Sequence, residues 1–327
     1  MVRRAVEVRA IYFGISAQNR FGELARRRLR VCPRQGPANA CYRITLMLAL
    51  SRRSAFRYIA ATATLASGRA APPEAAATVF ALLGDRYHNI DHYRTALGRI
   101  LVREMDLAVD FSDELKLLNA ANLARYKLLV ILRDGMIWPD GHTNPASNAG
   151  WHSSGAPKIV SDPPVPPTEG KAVYWITPEQ GKAVRRFVEN GGAALLYHNV
   201  TYISPHNDDF RDVLGAVTLG HPPIRPFKVR ITNREHPITR GVRDFIVTDE
   251  QHYMVYQKDP KHLLMESVNE DGLAWKEHGA KAAAGWAYDY GKGRVCYLAP
   301  GHLIDVMWNP EYVKLQKNAV RWLLRQS

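Results

Sequence analysis

Thr177-Pro-Glu-Gln-Gly-Lys-Ala-Val-Arg-Arg-Phe-Val-Glu-Asn-Gly-Gly-Ala-Ala-Leu-Leu-Tyr-His198 decides the fold. Thr177 has the place of an N-cap, Pro178 that of the first helical residue, and Gln180 that of the reciprocal half of a capping box. The helix opened there runs to Asn190, and Gly191-Gly192 supplies the usual C-terminal stop. Ala193 to Tyr197 is then a continuous apolar run, the signature of a strand buried on both faces. A helix feeding such a strand is one half of a βαβ unit, and it delivers His198-Asn199 to the strand's carboxyl end. In α/β sheets that edge is where ligands bind.

The same grammar extends in both directions. Upstream, Thr78 to Gly84 reads as a buried strand, followed by the polar loop Asp85 to His92. Tyr93 to Met105 carries apolar residues at helical spacing, Leu107 to Phe111 alternates like a strand, and Tyr126 to Leu132 is a third apolar run. Buried strands separated by helices imply a mostly parallel sheet covered on both sides. Residues 133–170 interrupt the pattern as a long loop containing Trp138, of a length that tends to be functional or disordered. Downstream the chain is richer in strands, at 227–231, 245–247 and 262–268. A hairpin turned by Gly291-Lys-Gly293 follows and ends at Pro300-Gly301-His302, which leaves an imidazole just past a strand. Tyr312 to Leu324 closes the chain as an amphipathic helix.

The net charge of +13 is confined to the head. Residues 1–70 hold fourteen arginines against Glu7 and Glu23, while the rest is balanced to within one charge. A near-neutral body without a basic stripe removes nucleic acid as the expected partner. From about Met47 a charged segment, a weakly apolar segment and the small-residue exit near Ala71 have the anatomy of an export signal. Ser51-Arg52-Arg53 with Phe56 resembles a twin-arginine signal, although Phe56 falls one place late and Arg57 interrupts the apolar run. The expectation is a head at 1–75, disordered or cleaved, and one domain at 76–327. The location would be periplasmic or exported, or cytoplasmic if the signal reading is wrong; the competing reading of residues 1–75 is an organellar transit segment or a disordered tail. No apolar stretch approaches the roughly 20 residues of a membrane helix. Cys296 is the one cysteine of the body, and inside an apolar run it reads as a buried hydrophobe.

Several stretches together resemble the trehalose-utilisation (ThuA-like) family. They are Leu82-Leu-Gly-Asp85 with Tyr87-His88, Leu129-Val-Ile-Leu132, Thr177-Pro-Glu-Gln180 and Phe187-Val-Glu-Asn-Gly-Gly192. Further on come His236-Pro-Ile-Thr-Arg-Gly241, Asp249-Glu250 with Tyr253, Tyr290-Gly-Lys-Gly-Arg-Val295, Gly301-His302 and Trp308-Asn-Pro310. The resemblance implies a flavodoxin-like, class I glutamine-amidotransferase-like three-layer α/β sandwich, and a role in carbohydrate metabolism. It does not bring amidotransferase chemistry with it. That class needs a nucleophilic cysteine on the strand-to-helix turn, and here His198-Asn199-Val200 stands on it.

The candidate site gathers strand-end residues. His198, Glu250 and His302 are the expected catalytic group, with His198 and His302 as ligands for zinc or manganese if a metal binds. Asp85, His88, Trp138, Asp249, His252 and Tyr253 are the expected substrate-binding residues. Each has a plainer reading, as a hydrogen-bonded structural histidine, a surface charge step or an aromatic cap. The resemblance favours the functional reading for Asp249-Glu250. Trp286 and Trp308 read as peripheral core. Two functions remain open: a hydrolase or lyase acting on a small sugar or oxidised sugar, and a non-catalytic carbohydrate-binding module. A dehydrogenase is a poor reading, since Gly84-Asp85-Arg86-Tyr87 offers no Gly-x-Gly-x-x-Gly loop.

Overall fold

The computed structural model describes residues 78–139, 141, 162–164 and 170–326, with the backbone of two strands nearer the start. The chain divides into two compact units, Met1–Ala71 and Pro72–Ser327. In the first unit, β1 (Arg26–Val31) pairs antiparallel with β2 (Tyr42–Met47). The export-signal segment beyond Met47 lies outside the described residues.

In the second unit the strands are β3 (Val79–Leu83), β4 (Val109–Ser112), β5 (Leu128–Leu132), β6 (Met136–Ile137), β7 (Val173–Tyr174) and β8 (Ala193–Tyr197). They continue as β9 (Ala216–Gly220), β10 (Arg225–Ile231), β11 (Phe245–Asp249) and β12 (Tyr253–Tyr256). The last are β13 (Leu263–Val268), β14 (Lys281–Tyr290) and β15 (Gly293–Leu298). The α-helices are α1 (Ile90–Leu97), α2 (Ala120–Leu123), α3 (Pro178–Glu189), α4 (Asp208–Leu214), α5 (Ile304–Met307) and α6 (Pro310–Leu323).

Nine strands form the main sheet in the order β11-β10-β13-β14-β15-β8-β5-β3-β4. From β15 to β4 every pairing is parallel, and from β11 to β15 every pairing is antiparallel. The parallel core is the flavodoxin-like sheet expected, and helices flank it in a three-layer α/β arrangement. The physical difference between the halves is visible residue by residue. All five positions of β3, β5 and β8 are buried, because helices cover both faces of a parallel sheet. Along β11, buried Phe245, Val247 and Asp249 alternate with exposed Ile246 and Thr248, as in a strand with one wet face.

The local signals act as the sequence implies. Thr177 Oγ1 accepts from the Gln180 N–H at 3.2 Å and Gln180 Oε1 accepts from the Thr177 N–H at 2.9 Å, closing the capping box of α3. In the hairpin, Tyr290 pairs with Gly293 across Gly291-Lys292, with Gly291 at φ +58. The expected helix over 93–105 begins earlier, at Ile90, where the Asn89 side chain caps it, and from Gly98 to Glu104 it widens into a π-helix. Two short pairings lie outside the main sheet: β6 with β7, and β9 with β12. The second of these places part of the site.

Candidate active site: a histidine ring around Glu250

The carboxyl ends of β3, β8, β11 and β15 meet at one place. Gly84, at φ +81, bends the chain off β3, where a side chain would put its Cβ 2.7 Å from that of Ile90. This sets Asp85 and His88 over the sheet edge. Asp85 is a wholly engaged carboxylate. It accepts from the N–H groups of Tyr87 at 2.7 Å, His88 at 2.9 Å and Asp134 at 2.7 Å, and from Asn199 Nδ2 at 2.9 Å. Burial opposes its charge, but the facing His88 and these N–H donors hold its pKa well below the usual carboxylate range. His88 Nδ1 lies 2.8 and 2.9 Å from the two Asp85 oxygens. An ionised carboxylate only accepts, so Nδ1 carries the proton and the Nε2 lone pair faces the site.

His198 comes straight off β8. It is fully buried and adopts φ +49, a left-handed conformation unusual for a residue with a side chain. Strained backbone of this kind clusters at functional positions. Its Nδ1 donates to the Ala299 carbonyl at 2.9 Å, which leaves Nε2 without a hydrogen-bond partner. Gly301 makes this packing possible: a Cβ there would stand 3.0 Å from His198 Cβ.

His302 follows β15. Its backbone is held from two sides. The buried Asp249 carboxylate accepts from the N–H groups of Gly301 at 2.7 Å and His302 at 3.1 Å, while the Tyr93 hydroxyl donates to the His302 carbonyl at 2.9 Å. Asp249 therefore acts on the site through His302. Burial raises its pKa against the pull of His198 and the Gly301 N–H.

Glu250 sits at the centre. Its Oε2 lies 3.2 Å from His302 Nδ1, 3.3 Å from His198 Nε2, 3.5 Å from His252 Nε2 and 3.6 Å from His221 Nε2. His302 Nδ1 also lies 3.1 Å from His88 Nε2. Burial opposes the Glu250 charge, yet His198, His252 and His302 hold its pKa far below the usual range. Burial and the neighbouring His198 drive His252 toward neutrality. Burial acts the same way on His302, but Glu250 and Asp249 outweigh it and raise its pKa.

The spacing is informative. Charge-assisted N–H to carboxylate hydrogen bonds are about 2.7–2.9 Å long, shorter than any of these four contacts. Ligands bound to one ion at about 2.0–2.2 Å stand about 3.0–3.5 Å apart along the edges of a tetrahedron or octahedron. One donor atom each from His88, His198, Glu250 and His302 lie within 4.8 Å of one another. The partners behind them also suit ligation, since metal-binding histidines donate their outer N–H to a carboxylate or carbonyl, as His88 does to Asp85 and His198 to Ala299. The donor set therefore fits a divalent ion.

Residues 167–323 match the family described as ThuA, trehalose utilisation. A putative ThuA-like protein from Bacteroides uniformis ATCC 8492 superposes with a TM-score of 0.52 at 17% identity, over 78% of this chain and 95% of that one. Residues 167–323 are ThuA-like. A second putative ThuA-like protein, from Parabacteroides merdae ATCC 43184, also gives 0.52, at 15% identity over 76% of this chain and 90% of that one. No curated protein matched the sequence.

The sequence candidates separate into those at the cluster and those beside it. His88, His198, Glu250, His252 and His302 meet around one point, with Asp85 and Asp249 behind them. Trp138 packs against the loop after β3. It meets Tyr87 edge-on with ring centres 5.7 Å apart and carries the Arg86 guanidinium 4.7 Å from its own ring centre. It lines a cavity of about 320 Å³ beside Asp85, Arg86 and Arg133. Most of the loop that follows it lies outside the described residues. Tyr253 donates its hydroxyl to Gly279 O at 2.9 Å and packs on Trp275, so its contacts lie away from the cluster. Trp286 is wholly buried and donates to Leu214 O at 2.8 Å. Cys296 is likewise buried, and burial pushes its thiol pKa up.

Three residues were missed from the sequence. Asn199 fastens Asp85, and its signal was adjacency to His198. Asp134, at the end of β5, is raised to about 7 by burial and the nearby Asp85 charge. His221 follows the short β9, and its one sequence signal was Gly220-His-Pro-Pro, a turn that ends a strand.

Proposed function

We propose that this chain is a divalent-metal-dependent enzyme acting on a small carbohydrate, with the ion held by His88, His198, Glu250 and His302. The convergence of these four donors, two of them with their outer N–H already engaged, carries the reading. The family description, trehalose utilisation, supports a sugar or oxidised sugar as substrate. His88 and His198, at 3% and 0% side-chain exposure, form the floor. Glu250 and His302, at 14% and 19%, face the approach. A bound ion would supply Lewis acidity toward a carbonyl or hydroxyl oxygen, or toward water. Asp85 fixes the His88 ring, Ala299 the His198 ring, and Asp249 with Tyr93 the His302 backbone. The ligands are thus oriented before substrate arrives. Four protein ligands would leave two positions on a six-coordinate ion such as manganese, open to water or sugar oxygens. On four-coordinate zinc the same ligands close the shell, as in structural sites, which favours the binding-module reading. Hydrolysis and elimination are both within reach of such a site.

The test is turnover. Full-length protein, stripped with chelator and reloaded with manganese or zinc, is incubated with trehalose and its keto derivatives, and products are read by mass spectrometry. Metal-dependent conversion that disappears in Glu250→Gln supports the enzyme. Saturable sugar binding without product establishes the accessory module instead.

A further inference from the structure

His221 and His252 remain after the four-ligand set is assembled, and their geometry is too specific for bystanders. Antiparallel pairing of β12 with β9 puts Tyr253 opposite Gly220. One step further along the ladder, His252 and His221 are neighbours, with ring centres 4.8 Å apart and planes inclined by only 30°. Their Nε2 atoms point at Glu250 Oε2 from 3.5 and 3.6 Å, and one donor atom from each of the three residues lies within 4.8 Å of the others. His221 Nδ1 donates to the Pro222 carbonyl at 2.9 Å, which leaves its Nε2 lone pair facing the carboxylate.

His252 is the stronger observation. It is 2% exposed, and neither ring nitrogen has a hydrogen-bond partner. A buried polar group with no partner calls for an explanation, and an unseen ion is one of the few available. A single carboxylate oxygen also cannot accept good hydrogen bonds from four imidazoles at once, given its two or so lone-pair directions. The first ion accounts for His198 and His302 and leaves the other two facing Glu250 with nothing between.

We propose that His221, His252 and Glu250 form a second divalent-cation position, joined to the first through the shared Glu250 carboxylate. The inference rests on the metal reading above and extends it to a two-ion centre. Two imidazoles and one carboxylate suit zinc, manganese, iron(II) or cobalt(II); calcium and magnesium prefer all-oxygen sites. Paired ions about 3.5–4 Å apart clamp attacking and leaving oxygens together, a suitable arrangement for hydrolysis at a sugar carbon bearing neighbouring oxygens.

The test is stoichiometry. Metal-free full-length protein is titrated with cobalt(II) by calorimetry, and bound metal is counted by plasma mass spectrometry after desalting. Two equivalents are expected for the native chain, and one each for His221→Ala, His252→Ala and His88→Ala. His221 is 28% exposed, so its replacement leaves a folded chain, checked by circular dichroism. One equivalent that persists in His221→Ala but is lost in His88→Ala overturns the second position and leaves the first standing. One equivalent weakened by both variants makes the two histidines ligands of a single ion, which also overturns the proposal. No bound metal in the native chain defeats both readings.

Discussion

The two halves of the main sheet build the same site by different means. In the parallel half, from β15 to β4, the central strands β3, β5 and β8 are buried on both faces, and strand ends present the histidines, His198 directly and His88 through the loop after β3. In the antiparallel half, from β11 to β14, the outer strands β11 and β10 alternate between buried and more exposed positions, and the connection between β11 and β12 contributes the central carboxylate. β15 belongs to both and brings His302. The site is thus a seam: a rigid floor of histidines on one side, and on the other a wing whose single carboxylate holds the ring together.

The largest expected effect separates the halves by stability. Leu195→Ala, in the middle of fully buried β8, should cost about 2–5 kcal/mol. Ile246→Ala, 60% exposed on β11, should fall within about 0.5 kcal/mol. Chemical denaturation of the two variants checks this, and equal losses would break the contrast.

Next in size is a pH effect from the parallel half. Asp134 has its folded pKa raised to about 7 from 3.8. The folded state therefore favours the protonated carboxyl, and this contribution is complete below about pH 4. It is lost as pH rises to about 7, by up to about 4 kcal/mol. Asp134→Asn should flatten that decline in a denaturation series from pH 4 to 8. An unchanged slope would remove Asp134 as its source.

Asp85→Asn tests the floor of the site through its ligand. Replacing the carboxylate behind a metal-binding histidine should weaken cobalt(II) binding about 10–100-fold, measured by calorimetry. Unaltered affinity would mean that His88 needs no orienting partner.

The smallest effect lies where α6 meets the segment just before β11. Glu311 accepts from the Arg243 N–H at 2.9 Å and pairs with Lys314, which lowers its pKa to about 2 from 4.5. Its contribution is therefore present above pH 4.5 and fades as pH falls toward 2. With solvent screening it amounts to under about 1 kcal/mol. Glu311→Gln should show a small loss of stability at pH 7 that disappears near pH 2.

Much of the parallel half was legible because its signals are local. The capping box at Thr177, the glycine stop after Asn190 and the apolar run to Tyr197 each reflect contacts within a few residues. The same logic placed His198 and His302 at strand ends. The sequence did not reveal what β9 and β12 do. Each is short, half-exposed and paired only with the other, so neither carries a burial pattern of its own, and His221 was lost with them. Tyr253 drew attention by standing three residues after Glu250. Its hydroxyl, however, donates to the Gly279 carbonyl.

The central claim is that a divalent ion belongs among these side chains, and anomalous diffraction at the metal absorption edge tests it most directly. Crystals of the full-length protein grown with manganese or zinc should show a peak about 2.0–2.2 Å from His88 Nε2, His198 Nε2, His302 Nδ1 and a Glu250 oxygen. A clean map at that point, with Glu250 hydrogen-bonded directly to the surrounding imidazoles, would contradict the account.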